Sequence, residues 1–304
     1  MKYAYFPGCS LKGSGKAFEE SMLRLFEALG IELEELEDWN CCGATAYMSI
    51  DEVTAAALAT RNLALAERTG LPLAVPCAGC FGVLRKAEHL QKTYPDIRNR
   101  VAQGLSAAGL SYAGTADVRH PLQILAQDLG AKAVRAKVKR PLKGLKVAPY
   151  YGCKLVRPEA PFDDPYAPQT METLLKSVGA RVVDFALKTR CCGGSLTGTL
   201  PEVGLGLNYD ILREAQRREA DVIATACPLC QFNLECYQDD MRRQHPELKP
   251  MPVVYFTQLI GIALGLGERA MALGRQIVPL EPILRERGIL ESAAPAKQPA
   301  PVGA

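Results

Sequence analysis

Ten of the eleven cysteines fall into two copies of one pattern. The first copy runs Cys9, then Cys41-Cys42-Gly43, then Cys77 and Cys80 with two residues between them. The second runs Cys153, Cys191-Cys192-Gly193, Cys227 and Cys230, and its last four cysteines follow those of the first by the same 150 residues. A chain marked in this way has to fold as two equivalent units, each gathering five thiols. Adjacent cysteines do not readily close a strain-free disulfide with each other. Crowded thiolates repel unless a cation neutralises them. Five soft donors per copy suit an iron–sulfur cluster better than a lone ion. A structural zinc site wants four donors, so zinc in one site stays open as the lesser alternative, as do buried thiols without metal.

Between the cysteines, strand and helix patterns alternate. Residues 2–6 read as a short strand leading into Cys9. Residues 17–29 carry Phe18, Met22, Leu25, Phe26 and Leu29 at helical period and stop at Gly30. Residues 31–36 read as a strand before Cys41, 51–68 as a helix ending at Gly70, and 71–76 as a strand running into Cys77. The second copy repeats the order, with strands at 145–150, 181–185 and 221–226 and helices at 170–178 and 201–219. A closing helix follows in each half, at 120–130 and 257–267. Such alternation predicts an α/β fold of two tandem units, each a mainly parallel sheet flanked by helices. Every cysteine element then follows the carboxyl end of a strand, the edge where open α/β sheets present their sites.

The expected division is 1–144 and 145–288, with 289–304 a disordered Pro/Ala-rich tail. Residues 131–146 carry seven Lys or Arg and no acid and read as a solvated linker, with docking to an acidic partner as the other reading. A net charge of +3 is too mild to argue for nucleic acid. The longest mostly apolar stretch, 253–266, is too short to span a bilayer, and the amino terminus carries no secretory leader, so a cytoplasmic protein is expected.

The cysteine runs, together with the opening YFPGCS, CCGG at 191–194 and CPLC at 227–230, resemble the cysteine-rich CCG domain family. Within that family the chain looks like the B-type members of heterodisulfide reductase, with a leaning towards the bacterial sulfur-oxidising type. The resemblance spans residues 1–285. It implies two pseudo-twofold-related domains and two non-cubane [4Fe-4S] clusters. One would be held by Cys9, Cys41, Cys42, Cys77 and Cys80, the other by Cys153, Cys191, Cys192, Cys227 and Cys230. It further implies an oxidoreductase acting on a thiol/disulfide pair, with protein-bound lipoyl among the candidates, active within a complex. The duplication fits a disulfide bound between two facing clusters. Neither a ferredoxin run nor a dinucleotide fingerprint is present. The implied partners are therefore the ferredoxin-like and the flavin-containing subunits of a heterodisulfide reductase-like complex. The alternative function is a non-catalytic electron-transfer or anchoring subunit of a succinate, lactate or glycerol-phosphate oxidising complex.

Lys154 and Arg190 flank Cys153 and Cys191 and are candidates to border the second cluster, holding an anionic group or raising its potential. Solvent-facing cations are the plainer reading. Trp39, two residues before Cys41, reads as core packing or as a shield for the site. His120 reads as a cap or packing residue, and His89 and His245 show no ligand spacing. Cys236 lies outside both motifs and reads as a half-buried thiol.

Overall fold

The computed structural model describes residues 1–44, 47–158 and 162–291. Four strands, β1 (Lys2–Tyr5), β2 (Glu32–Glu35), β3 (Leu73–Ala74) and β4 (Val118–Arg119), form one parallel sheet in the order β2-β1-β3-β4. A second set, β5 (Lys146–Tyr150), β6 (Arg181–Val182), β7 (Val222–Thr225) and β8 (Val253–Tyr255), forms another in the order β6-β5-β7-β8. The α/β duplication expected from the cysteines is present, and each half adds a fourth strand, β4 or β8, that the sequence pattern did not mark. Each sheet reverses its winding between the first and third strands, where open parallel sheets leave a crevice at the carboxyl edge.

Local chemistry sets the element ends. The helix Lys16–Leu29 buries Phe18, Met22, Leu25, Phe26 and Leu29 and stops at left-handed Gly30. Asp51 caps Glu52–Thr69 by accepting from the Thr54 N–H at 3.0 Å. The strand expected at 71–76 pairs only over Leu73–Ala74, although the Val75 N–H still reaches Arg119 O at 2.8 Å. Pro76 has no N–H to donate, so pairing ends just before Cys77. The closing helix expected at 120–130 is an α-turn, Pro121–Gln123, that widens into a π-turn, Ile124–Asp128, with the Leu129 N–H on Ile124 O at 2.9 Å.

The two halves share one hydrophobic core, and they pack reciprocally. Helix Lys16–Leu29 of the first half lies on the closing helix Phe256–Ala263 of the second. Its counterpart Thr170–Ser177 lies on the closing segment 121–128 of the first. Phe18 stacks on Tyr255 at 4.5 Å, and Ser21 shares a 2.7 Å hydroxyl contact with Thr257. Burying one such phenylalanine stabilises by about 2–3 kcal/mol.

The basic segment 131–146 differs from a solvated linker. Residues Ala131–Ala136 are helical and bury Val134, Lys137 bonds Ala28 O, and the Lys139 and Arg140 N–H groups both reach Ala263 O at 2.9 Å. Its apolar residues Leu142 and Leu145 are fully buried, which an even spread of charge along the segment had hidden. Ile289 and Leu290 are also buried, so packed structure runs on past residue 288. Residues 292–304 of the Pro/Ala-rich tail lie outside the described residues.

Candidate metal centre

Both cysteine sets stand beyond the carboxyl ends of their strands, and glycine makes the room. Gly8 and Gly152 precede the first cysteine of each set, with φ of +65° and +67°. A Cβ on Gly8 would stand 2.9 Å from Cys80 Sγ, and one on Gly152 would stand 2.8 Å from Cys230 Sγ. Bare backbone is therefore the floor on which the last thiol of each set rests. Gly43 and Gly193, at +81° and +89°, turn the chain immediately after each adjacent cysteine pair.

The sulfurs of each set converge. Cys42 and Cys80 Sγ lie 3.1 Å apart, and Cys192 and Cys230 Sγ 3.5 Å. Cys41 bonds Cys42 and also feels Cys9, while Cys153 bonds Cys191 and also feels Cys192. Across the pseudo-twofold, Cys77 contacts Cys227, so the two sets meet at their innermost members. Cys9 and Cys41 are exposed, Cys153 and Cys191 half-buried, and the other six buried.

Ionisation alternates within the crowd. Contact with Cys41, then Cys80, holds Cys42 down to about 4. Cys191 is lowered to about 6, first by Cys153 and further by the charges of Lys154 and Arg157. Cys77 is held well below the usual thiol range by Cys227 and Cys80. Their neighbours Cys41, Cys80, Cys153 and Cys230 are pushed up, first by these same thiol contacts and then by burial. This is how crowded neighbouring acids divide their protons.

Among the described residues, no three Cys, His, Asp or Glu side chains surround one point at single-ion ligand distance. The thiols touch in pairs instead. As a donor set they fit an iron–sulfur cluster: five thiols per half, two from adjacent residues, over a glycine floor that a Cβ would fill.

The cations sort differently from expectation. Lys154 stands at the site and acts on Cys191, but Arg190 turns to Asp210 in a 3.1 Å ion pair. Arg157 takes the place expected of Arg190, with its N–H on Cys153 O at 3.0 Å and its guanidinium on Thr189 O. Its spacing of four from Cys153 was the available signal. Asn233 was also missed. Fully buried, it directs its amide at Cys192 Sγ, at 3.5 Å, and at Gly194 O, at 2.8 Å. It lies three residues after Cys230, and the first half has Val83 at the matching position, 150 residues earlier.

Trp39 packs edge-on against Phe6 at 5.5 Å and donates to Glu35. Cys236 is half-buried, at the end of helix Pro228–Cys236. His120 caps the Leu122 N–H through Nδ1 at 3.1 Å, and His245 stacks on Tyr209 at 3.7 Å. A surface groove of about 1390 Å3 lies away from all cysteines, between the helix Lys16–Leu29 and residues 267–275. None of the described helices is long and apolar enough to cross a membrane.

A family described as "Cysteine-rich domain" (CCG) matches residues 3–85 and 147–235, enclosing the cysteines of each set. The 8-methylmenaquinol:fumarate reductase membrane anchor subunit of Wolinella succinogenes is 33% identical over 91% of this chain and 97% of its own length. A protein of Archaeoglobus profundus, described as like the B subunit of heterodisulfide reductase, is 32% identical over 96% of this chain and 99% of its own. The B subunit of the ferredoxin/F420H2-dependent CoB-CoM heterodisulfide reductase of Methanosarcina acetivorans is 30% identical over 91% and 94%. A solved hypothetical protein from Helicobacter pylori superposes with a TM-score of 0.74 at 14% identity. That match covers 91% of this chain, which spans about half the length of the solved one (52%), and it speaks to fold alone.

Proposed function

The chain belongs to the CCG cysteine-rich domain family, and we propose that it is the iron–sulfur subunit of a heterodisulfide reductase-like complex, interconverting a disulfide and two thiols. The observation that carries this reading is the meeting of two cysteine sets across the pseudo-twofold, through Cys77 and Cys227. Each set also has members open to solvent or nearly so. Cys9, Cys41, Cys42, Cys77 and Cys80 would hold one non-cubane [4Fe-4S] cluster. Cys153, Cys191, Cys192, Cys227 and Cys230 would hold the other. Such clusters supply electrons one at a time, and cleaving a disulfide takes two.

The chain's own residues provide the setting. Lys154 and Arg157 place positive charge beside Cys191, suited to an anionic group on the substrate. Asn233 orients Cys192. The inner thiols Cys42, Cys77, Cys80, Cys192, Cys227 and Cys230 are buried from solvent. Electrons would arrive from the ferredoxin-like and flavin-containing subunits of the complex, in the cytoplasm. Anaerobically reduced protein, titrated with thiols or disulfides including a lipoyl peptide, should give a new substrate-dependent paramagnetic signal. No such signal with any of them would overturn the catalytic assignment.

The second reading is an electron-transfer or anchoring subunit of a complex that oxidises or reduces a dicarboxylate. The 33% identity to a fumarate reductase membrane anchor subunit over 97% of that protein favours it. Its mark would be reoxidation of the reduced chain by a quinone analogue, with no response to thiols.

A further inference from the structure

His120 is completely buried where the two halves meet. Its Nδ1 accepts the Leu122 N–H at 3.1 Å, so the ring is neutral there and its proton sits on Nε2. That Nε2–H donates to Pro76 O at 2.8 Å, and the carbonyl of Ala226 makes a looser contact with the same ring. Pro76 and Ala226 are matching residues, 150 apart, and each immediately precedes the first cysteine of its CxxC pair. The ring also meets Phe81 of the first half at 5.8 Å and Phe256 of the second at 6.4 Å.

These contacts place the imidazole between the halves, next to matching backbone positions of both. The second half has a different residue at the matching cap, Tyr255, which stacks on Phe18. The cap role accounts for only one ring nitrogen. The other bonds the backbone just before Cys77 and faces the backbone just before Cys227.

We infer that His120 is a positioning residue that pins the two CxxC loops together and so sets the separation of the two sulfur sets. It touches no reacting atom. It acts through Pro76 and Ala226, and it is what keeps Cys77 against Cys227. The inference concerns the thiol scaffold. Its consequence for two bound clusters rests on the function proposed above.

Two variants separate the nitrogens. His120→Asn keeps an acceptor near the Nδ1 position but cannot reach Pro76. His120→Gln puts an amide N–H near the Nε2 position. Metal-free, reduced full-length chain is treated briefly with diamide, which takes up two electrons and two protons as two thiols join. Disulfides are then mapped by mass spectrometry without reduction. The ratio of Cys77–Cys227 to Cys42–Cys80 linkage is the readout, because the second pair lies within one half, 3.1 Å apart, and does not depend on His120. His120→Asn should lower the ratio about fivefold, the population change expected from losing one buried hydrogen bond. His120→Gln should restore it to near the wild-type value.

An unchanged ratio in His120→Asn overturns the inference, as does an equal fall in folded His120→Gln. If the Asn variant does not fold, the Gln variant alone decides: a wild-type ratio supports the tie and a collapsed ratio refutes it. In anaerobically reconstituted protein, magnetic coupling between the two centres should weaken in His120→Asn and recover in His120→Gln. Absence of iron from reconstituted wild-type chain would sink the proposed function while leaving the thiol result standing.

Discussion

Replacing Gly152 by alanine tests the floor of the second site, and the structure supplies its own control. Gly152 has φ +67° and would bring a Cβ to 2.8 Å from Cys230 Sγ. Gly70 has φ +65° and no neighbouring atom within 4 Å. Both substitutions force alanine into the left-handed region, at a cost of about 1–2 kcal/mol. Only Gly152→Ala must also displace a thiol, by roughly 1 Å to regain ordinary contact distance. In urea unfolding of the metal-free chain, Gly70→Ala should therefore lose about 1–2 kcal/mol, and Gly152→Ala at least as much. Iron and sulfide uptake on anaerobic reconstitution should separate them. Gly70→Ala should load like wild type, whereas Gly152→Ala should lose about half the iron, the share of one of two centres. Equal loading of the two variants would refute the role given to the glycine floor. Gly8→Ala, with its Cβ 2.9 Å from Cys80 Sγ, should behave like Gly152→Ala at the other set.

Other consequences are open to measurement. Asn233→Val, which copies Val83 of the first half, removes a hydrogen bond to Cys192 and should lower the potential of one centre while leaving the other unmoved in a redox titration. Ser21→Ala and Thr257→Val each break the hydroxyl contact between the halves and should cost about 1–2 kcal/mol in urea melts. The double variant should reveal a coupling of about 1 kcal/mol. Burial raises the Glu235 carboxyl from 4.5 to about 7. The folded state therefore binds the extra proton, so this group's stabilisation is complete below pH 4.5 and is lost as pH climbs through 7, by up to about 3 kcal/mol. Glu235→Gln should flatten that part of the stability profile, and an unchanged slope between pH 5 and 8 would contradict the assignment.

Much of this architecture was legible because punctuation and periodicity agreed. Gly30 and Gly70 end helices where the apolar period stops, and each cysteine element follows a strand. What stayed hidden depends on the other half of the molecule. The π-turn at Ile124–Asp128 packs on the helix Thr170–Ser177, a contact that no local pattern records. The basic run 131–146 reads as solvated until Val134, Leu142 and Leu145 are found in the core. Arg190 neighbours Cys191 in sequence, yet its charge goes to Asp210, while Arg157 arrives at the site from one helical turn beyond Cys153. Adjacency along the chain is a poor guide to side-chain direction in a turn. His120 was legible as a cap but not in its second role, because Pro76 is 44 residues away in sequence and Ala226 lies in the other half.

Counting iron, acid-labile sulfide and zinc per chain in protein purified without oxygen bears on the two cysteine sets together. Two four-iron centres require about eight iron and about eight sulfide per chain, with no stoichiometric zinc. One zinc per cysteine set, or iron sufficient for a single centre in fully loaded protein, would contradict the account.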